Sequence, residues 1–166
     1  MPDFPILLVC YSRSGRTRTV AARVAERCGG RLAVIEDVRS RAGPFAYFRS
    51  AFEALKGRLP AIREPDADPA AHALVVLATP VWAGRMAAPM RSWLARHAGQ
   101  IGRLAVICTQ GGSGADQVVA AIEAVCGRPA EASLVATSRE VDDGRYAAMA
   151  DRFAARLVAL AADAAD

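Results

Sequence analysis

The chain has 166 residues, of which 53% are hydrophobic, and it carries a formal net charge of +4. This length suits one domain, expected over residues 1–166, and leaves no room for two ordinary ones. The four cysteines lack metal-ligand spacing, the apolar runs are far shorter than the ~20 residues of a membrane span, and no secretory signal is recognisable, so a soluble cytoplasmic protein without a zinc site, disulfide framework or membrane span is expected.

Short apolar runs alternate with segments of helical spacing along the chain. The runs predict strands at residues 5–11, 31–38, 72–80, 103–110 and 131–138. The segments between them predict helices at residues 17–28, 44–60, 88–98, 115–127 and 144–162, with a surface loop at 61–71. Strands that are apolar on both faces are covered on both sides, and alternation with helices favours parallel βαβ units. The sequence therefore predicts an α/β fold, a three-layer doubly wound sheet of five parallel strands.

Ligands of such sheets bind beyond the carboxyl ends of the strands, so the loops there are the candidate sites. The first loop, "SRSGRT", combines the hydroxyls of Ser12, Ser14 and Thr17 with a glycine that lets a ligand approach the backbone, at the start of a helix. These features favour an anion site. The loop lacks the P-loop lysine and the GxGxxG pattern, which favours a single terminal phosphate over a nucleoside triphosphate or a dinucleotide. The alternative is that Ser14 only caps the helix.

The second loop, "TPVWAG", follows the most apolar strand. It offers Trp82 at the strand's end, where the flat indole could stack on a planar ring system while neighbouring backbone groups read the ring edge. The alternative is that Trp82 packs under the next helix.

The third loop, "TQGGSGAD", follows the fourth strand. Adjacent Gly111 and Gly112 would form a backbone wall along a flat ligand, with Gln110 as a polar contact. The alternative is that Ser113 and Asp116 form a capping box for the next helix, which would leave the two glycines unexplained.

Together, "YSRSGRT", "ATPVWAGRMAAPMRSWL" and "CTQGGSGAD" resemble the three flavin loops of the flavodoxin family, over nearly the whole chain. The resemblance is to the short-chain type, and it implies the strand order 2-1-3-4-5 and FMN as cofactor. It further implies that the phosphate, the ring and the ring's other edge are held, in turn, by three sets of residues. These are Ser12, Arg13, Ser14, Gly15, Arg16 and Thr17; Thr79, Pro80, Val81, Trp82, Ala83 and Gly84; and Thr109, Gln110, Gly111, Gly112 and Ser113.

The basic charge of the chain departs from the acidic character of many flavodoxins. Arg85 directly follows the second loop, and Arg13, Arg16 and Arg91 are expected nearby. A cation close to the ring favours an anionic reduced flavin. The potential for the second electron is therefore predicted to be less negative than in an acidic flavodoxin. The same arginines could attract an anionic partner or a nicotinamide phosphate.

Three functions are compatible with these patterns. The first is an electron-transfer flavoprotein that works with a redox partner protein. The second is an FMN-dependent NAD(P)H:quinone-type oxidoreductase, which needs none of the catalytic His/Asp pairs or cysteine nucleophiles that the sequence lacks. The third is a flavin-free basic binding module, disfavoured because the arginines are dispersed without aromatic interleaving, so no nucleic acid is expected as partner. A monomer or a small homo-oligomer is expected.

Overall fold

The computed structural model, which describes residues 4–38, 45 and 59–164, has a central sheet of five parallel strands. The strands of the described part are β1 (Ile6–Cys10), β2 (Arg31–Val34), β3 (Glu36–Asp37), β4 (Ile62–Arg63), β5 (Leu74–Trp82), β6 (Arg85–Met86), β7 (Leu104–Gln110) and β8 (Ala130–Thr137). The helices are α1 (Arg16–Cys28), α2 (Ala88–His97), α3 (Ala115–Cys126), α4 (Ser138–Asp142) and α5 (Tyr146–Asp163). The order in the sheet is β2-β1-β5-β7-β8. Since β5, β7 and β8 are the third, fourth and fifth predicted strands, the predicted order 2-1-3-4-5 is confirmed.

The core lies on both faces of this sheet, because successive side chains of a strand point to opposite faces. Leu7 of β1 belongs to the cluster that contains Trp93 of α2. Leu8 belongs to the opposite cluster, with Val24 of α1 and Leu157 of α5. Burying a side chain of this size contributes roughly 1.5–3 kcal/mol. Of the helices that the structure describes, none has both the length and the apolarity needed to cross a membrane.

Two segments differ from the prediction before the third parallel strand. The predicted strand 31–38 breaks at buried Ile35, whose N–H still donates to Cys10 O at 2.8 Å. Beyond it, β3 pairs antiparallel with β4, so the prediction of a loop throughout 61–71 was wrong at Ile62–Arg63. A two-residue pairing leaves no alternation in the sequence to detect. The helix predicted over residues 44–60 falls, but for residues 45, 59 and 60, outside the described residues.

The predicted second loop is a hairpin. Strand β5 continues through Trp82, turns at Ala83 and Gly84, and pairs with β6. Both turn residues have positive φ, 49° and 73°, as a two-residue hairpin turn requires. Thr79 holds the base of this hairpin, because its buried Oγ1 accepts a hydrogen bond from Ala87 N–H at 3.2 Å.

A short helix follows the last strand. The strand predicted over 131–138 ends at Thr137, and α4 begins at Ser138. Glu140 N–H donates to Thr137 Oγ1 at 3.2 Å, and Thr137 N–H donates to Glu140 Oε2 at 2.8 Å. This capping box ends the strand one residue early and brings Ser138 to the sheet edge where the candidate loops lie.

Candidate functional site

The three predicted loops meet in one cleft at the carboxyl ends of the parallel strands. The cleft has a volume of about 220 Å³. Its walls come from the segment before and at the start of α1, the end of β5, the end of β7 and the start of α4. The lining residues are Arg13, Ser14, Arg16, Thr17, Pro80, Val81, Trp82, Thr109, Gln110, Gly111 and Ser138.

Helix α1 begins at this cleft without a side-chain cap. Its N-cap is Gly15, with a φ of 93°, so the alternative prediction that Ser14 caps the helix was wrong. A left-handed residue is needed here, and glycine adopts that conformation without strain. The first intrahelical bond runs from Thr19 N–H to Gly15 O at 2.9 Å, so the amides of residues 16–18 precede it. Such amides, at the positive end of the helix dipole, can donate to an anion.

Two buried hydroxyls connect the first loop to the third. Thr17 Oγ1 and Thr109 Oγ1 lie 2.7 Å apart, and Thr17 is only 1% exposed. A bond between two hydroxyls uses one of the two protons, so the second proton remains for another acceptor. Because both threonines line the cleft, that acceptor can be a bound ligand.

The rim of the cleft contains an arginine–carboxylate pair. Arg16 donates from Nε and Nη2 to the two carboxylate oxygens of Asp142 in α4, each at 2.8 Å. The hydrogen bond from Arg16 lowers the pKa of Asp142, and the same bond raises the pKa of Arg16. The pair joins the start of α1 to α4, so two of the donors of Arg16 are already engaged. Arg13 lines the cleft as well.

Trp82 lies at the junction of the cleft and the core. It lines the cleft but is only 9% exposed. Its ring contacts Tyr11 edge to face, with centroids 5.5 Å apart and planes at 86°. The Tyr11 hydroxyl donates to Asp37 Oδ2 at 2.6 Å. These contacts fix the plane of the indole. Trp82 is therefore a core residue that also lines the cleft.

The third loop leaves its backbone open beside the cleft. A Cβ built on Gly111 or on Gly112 would meet no atom within 4 Å. The predicted capping box of Ser113 and Asp116 was wrong, because the N-cap of α3 is Gly114 and no side-chain hydrogen bond is made at the N-cap. Instead, Gln110 Oε1 accepts from Ala115 N–H at 3.0 Å. Gln110 therefore shapes this wall as well as lining it.

Glycine is required where the hairpin meets α3. Gly114 has a φ of 103°, and a Cβ there would lie 2.9 Å from Gly84 Cα. This close approach sets the hairpin turn against the start of α3.

Several predicted site residues lie beside the cleft instead of lining it. Ser12 Oγ accepts from Gly15 N–H at 3.1 Å, which shapes the turn. Thr79 is buried, and Ala83 and Gly84 form the hairpin turn. Gly112 and Ser113 line a neighbouring depression at the start of α3. Ser138 was not predicted as a site residue, but it lines the cleft. Its position at the end of the fifth predicted strand was the available signal.

Two further arginines and the four cysteines limit the reactions that the cleft can support. Arg85 and Arg91 line a different cavity from the cleft. All four cysteines are free. Burial raises the pKa of Cys10 and Cys108, which end or nearly end β1 and β7, to about 12. Both therefore remain thiols at neutral pH, and the reactive thiolate is not populated.

Comparison with known proteins identifies the fold. No family model matches the sequence, and no curated protein matches it. A flavoprotein from Lactobacillus acidophilus NCFM, crystallised in complex with FMN, aligns with a TM-score of 0.70 and 21% identity over 84% of this chain and 97% of its own. A flavodoxin, WrbA-like protein from Agrobacterium tumefaciens aligns with a TM-score of 0.53 and 15% identity, covering 92% and 96% of the two chains.

A third aligned structure is that of an oxidoreductase. The NAD(P)H:quinone oxidoreductase from Methanothermobacter marburgensis aligns with a TM-score of 0.50 and 17% identity, covering 92% of this chain and 94% of its own. At such identities a structural likeness establishes the fold and not the activity. Strand order, layer arrangement and these alignments agree that the chain has a flavodoxin-like fold.

Proposed function

We propose that this chain is an FMN-binding redox protein whose flavin site is the cleft at the carboxyl ends of β1, β5 and β7. One observation carries the proposal: the uncapped start of α1 opens into the same cleft as Trp82 and the open backbone of Gly111. An anionic phosphate needs N–H donors, and a planar ring needs a flat, partly apolar wall. The residues present fit both ends of FMN.

The phosphate end would be held by the first loop. The amides of residues 16–18 and the hydroxyls of Ser14 and Thr17 supply donors, and Gly15 permits the turn that presents them. The Thr17–Thr109 pair leaves one proton to donate. Arg13 and Arg16 add positive charge at the rim, which favours an anion there.

The ring end would lie between the end of β5 and the third loop. Pro80, Val81 and Trp82 form one wall, and Gly111 forms the other. The volume of about 220 Å³ is below the roughly 300–1,000 Å³ of cavities that enclose most of a small ligand. Part of the cofactor would therefore extend beyond this cleft, where a redox partner can approach it.

The primary activity we propose is electron transfer. Bound FMN supplies one- and two-electron chemistry, while the protein supplies binding, orientation and electrostatics. The described part of the cleft holds no thiolate, and its polar groups are hydroxyls, amides and guanidinium groups that position an anion. An NAD(P)H:quinone-type activity is the second candidate, and its support is the fold shared with an oxidoreductase of that name.

A binding titration tests the site. Ser14→Ala removes an exposed cleft hydroxyl, and Ser133→Ala removes an exposed hydroxyl in β8 outside the cleft. We expect FMN affinity, followed by flavin fluorescence, to fall severalfold in Ser14→Ala and to stay unchanged in Ser133→Ala. An apoprotein that takes up no FMN would overturn the proposal.

An anaerobic reduction experiment separates the two activities. NADPH is added to the FMN-loaded protein without oxygen, and the flavin absorbance is followed. Reduction only after addition of a separate reductase supports the electron carrier. Rapid reduction by NADPH alone contradicts that assignment and favours the oxidoreductase.

A further inference from the structure

A second cavity lies beside the hairpin, between β6, α2 and α3. Its volume is about 350 Å³. Two arginines face it, Arg85 from β6 and Arg91 from α2, and Met86, Ala121 and Val125 form much of its wall. Gln117 also lines it.

Arg91 is incompletely satisfied in this cavity. Its Nη1 is buried and has no hydrogen-bond partner in the described part of the molecule. A buried donor without an acceptor costs free energy, and a charged one costs more than a neutral one. Burial and the charge of Arg85 both lower the pKa of Arg91, in that order of size, so the neighbouring guanidinium is close enough to act on it. Among the residues that the structure describes, no carboxylate lines this cavity or pairs with either arginine.

We propose that this cavity binds the carboxylate of a small organic acid, with the carboxylate on Arg91 and Arg85 and a short apolar body against Met86, Ala121 and Val125. A guanidinium matches a carboxylate in planar geometry and charge, and the two arginines that line the cavity can both donate to the anion. The apolar wall favours a monoanion with a hydrocarbon body over a strongly hydrated dianion such as phosphate, because desolvation of the dianion costs more. The proposal does not depend on FMN binding.

This site shares the hairpin with the cleft described above. Residues Pro80, Val81 and Trp82 of the hairpin line the cleft, whereas Gly84, Arg85 and Met86 line the second cavity. The two ligands would therefore contact the two paired strands of one hairpin.

Calorimetric titration with acetate, butyrate and hexanoate tests the site, with inorganic phosphate as the competing anion. We expect saturable binding whose affinity rises about threefold to fourfold for each methylene that is buried. Saturation by phosphate at lower concentration than by hexanoate would overturn the assignment to a carboxylate with an apolar body. Absence of binding by all three carboxylates would overturn the site.

Arg91→Met keeps an unbranched apolar stem in place of that of arginine and removes the guanidinium. Its matched control is Arg96→Met, which removes the same charge from the same helix; Arg96 pairs with Glu64 outside the cavity. We expect hexanoate affinity to fall at least tenfold in Arg91→Met and less than twofold in Arg96→Met. Equal losses in the two variants would mean that only net charge matters and would contradict the site.

A third variant keeps the test decisive if Arg91→Met does not fold. Arg85 is exposed, so Arg85→Gln removes its charge with little effect on packing. We expect Arg85→Gln to weaken hexanoate binding severalfold. Unchanged affinity would contradict the participation of both arginines.

Discussion

The glycine at the start of α1 offers the sharpest separation of binding from folding. Helix α1 has a left-handed glycine at each end, Gly15 with a φ of 93° and Gly29 with a φ of 66°. A Cβ built on either one meets no atom within 4 Å. Replacing each with alanine therefore imposes backbone strain without a steric clash, and the two variants differ mainly in which end of the helix they disturb.

The expected magnitudes follow from these conformations. An alanine held in a left-handed conformation costs roughly 1–2 kcal/mol, so both variants should lose about that much free energy of unfolding in the apoprotein. Relief of the strain at Gly15 would shift the amides of residues 16–18. Loss of one hydrogen bond to a charged group costs about 1.5–3 kcal/mol, which corresponds to a loss of FMN affinity of roughly 10- to 150-fold. Gly29→Ala should leave FMN affinity within about twofold of the wild type.

Urea denaturation of the apoproteins and fluorescence titration with FMN measure the two effects separately. A Gly15→Ala variant that loses stability but retains wild-type FMN affinity would contradict a role of these amides in binding, because the turn would then only begin the helix. Equal losses of affinity in both variants would contradict it too, since the loss would then follow stability and not the position of the amides.

Three further outcomes are expected. Thr109→Val leaves the buried Thr17 hydroxyl without its partner and should lower the free energy of unfolding by about 1–3 kcal/mol in urea denaturation; an unchanged value would contradict the hydroxyl pair. Because Arg16 lowers the folded-state pKa of Asp142 from its ordinary 3.8, ionised Asp142 stabilises the fold above that pH, and the contribution is lost as the pH falls through the lowered pKa. Asp142→Asn should therefore reduce the drop in Tm between pH 5 and pH 2 at low salt, and an unchanged drop would contradict it. Cys108 should resist iodoacetamide at about pH 8 until the protein unfolds, as peptide mapping would detect; rapid native labelling would contradict its burial.

The fold was accessible from the sequence because its signals are local. Apolar runs such as β1 and β7 have to be covered on both faces, and the helical segments between them favour parallel pairing of the strands. Parallel pairing also predicts that the three loops lie at one edge of the sheet. The cleft, which residues of all three loops line, confirms this. Pro80 and Thr109 are adjacent in register across β5 and β7, as that topology requires.

The details that were not predicted depend on contacts between segments distant in sequence. Ser14 and Ser113 are residue types that cap helices, but the N-caps of α1 and α3 are the left-handed glycines Gly15 and Gly114. Gln110 Oε1 accepts instead from the first amide of α3, Ala115 N–H. Which group satisfies the first amides of a helix depends on the position of the neighbouring backbone. Ser138 lines the cleft because the last strand ends at Thr137, where the capping box begins α4.

The central claim is that the first loop binds a phosphate whose attached ring lies along Trp82 and Gly111. Parallel calorimetric titrations of the apoprotein with FMN and with riboflavin, which lacks the phosphate, test it most directly. We predict one FMN per chain and an affinity for riboflavin at least 100-fold weaker. Equal affinities for the two ligands would contradict the phosphate site, and binding of neither would contradict the flavin site.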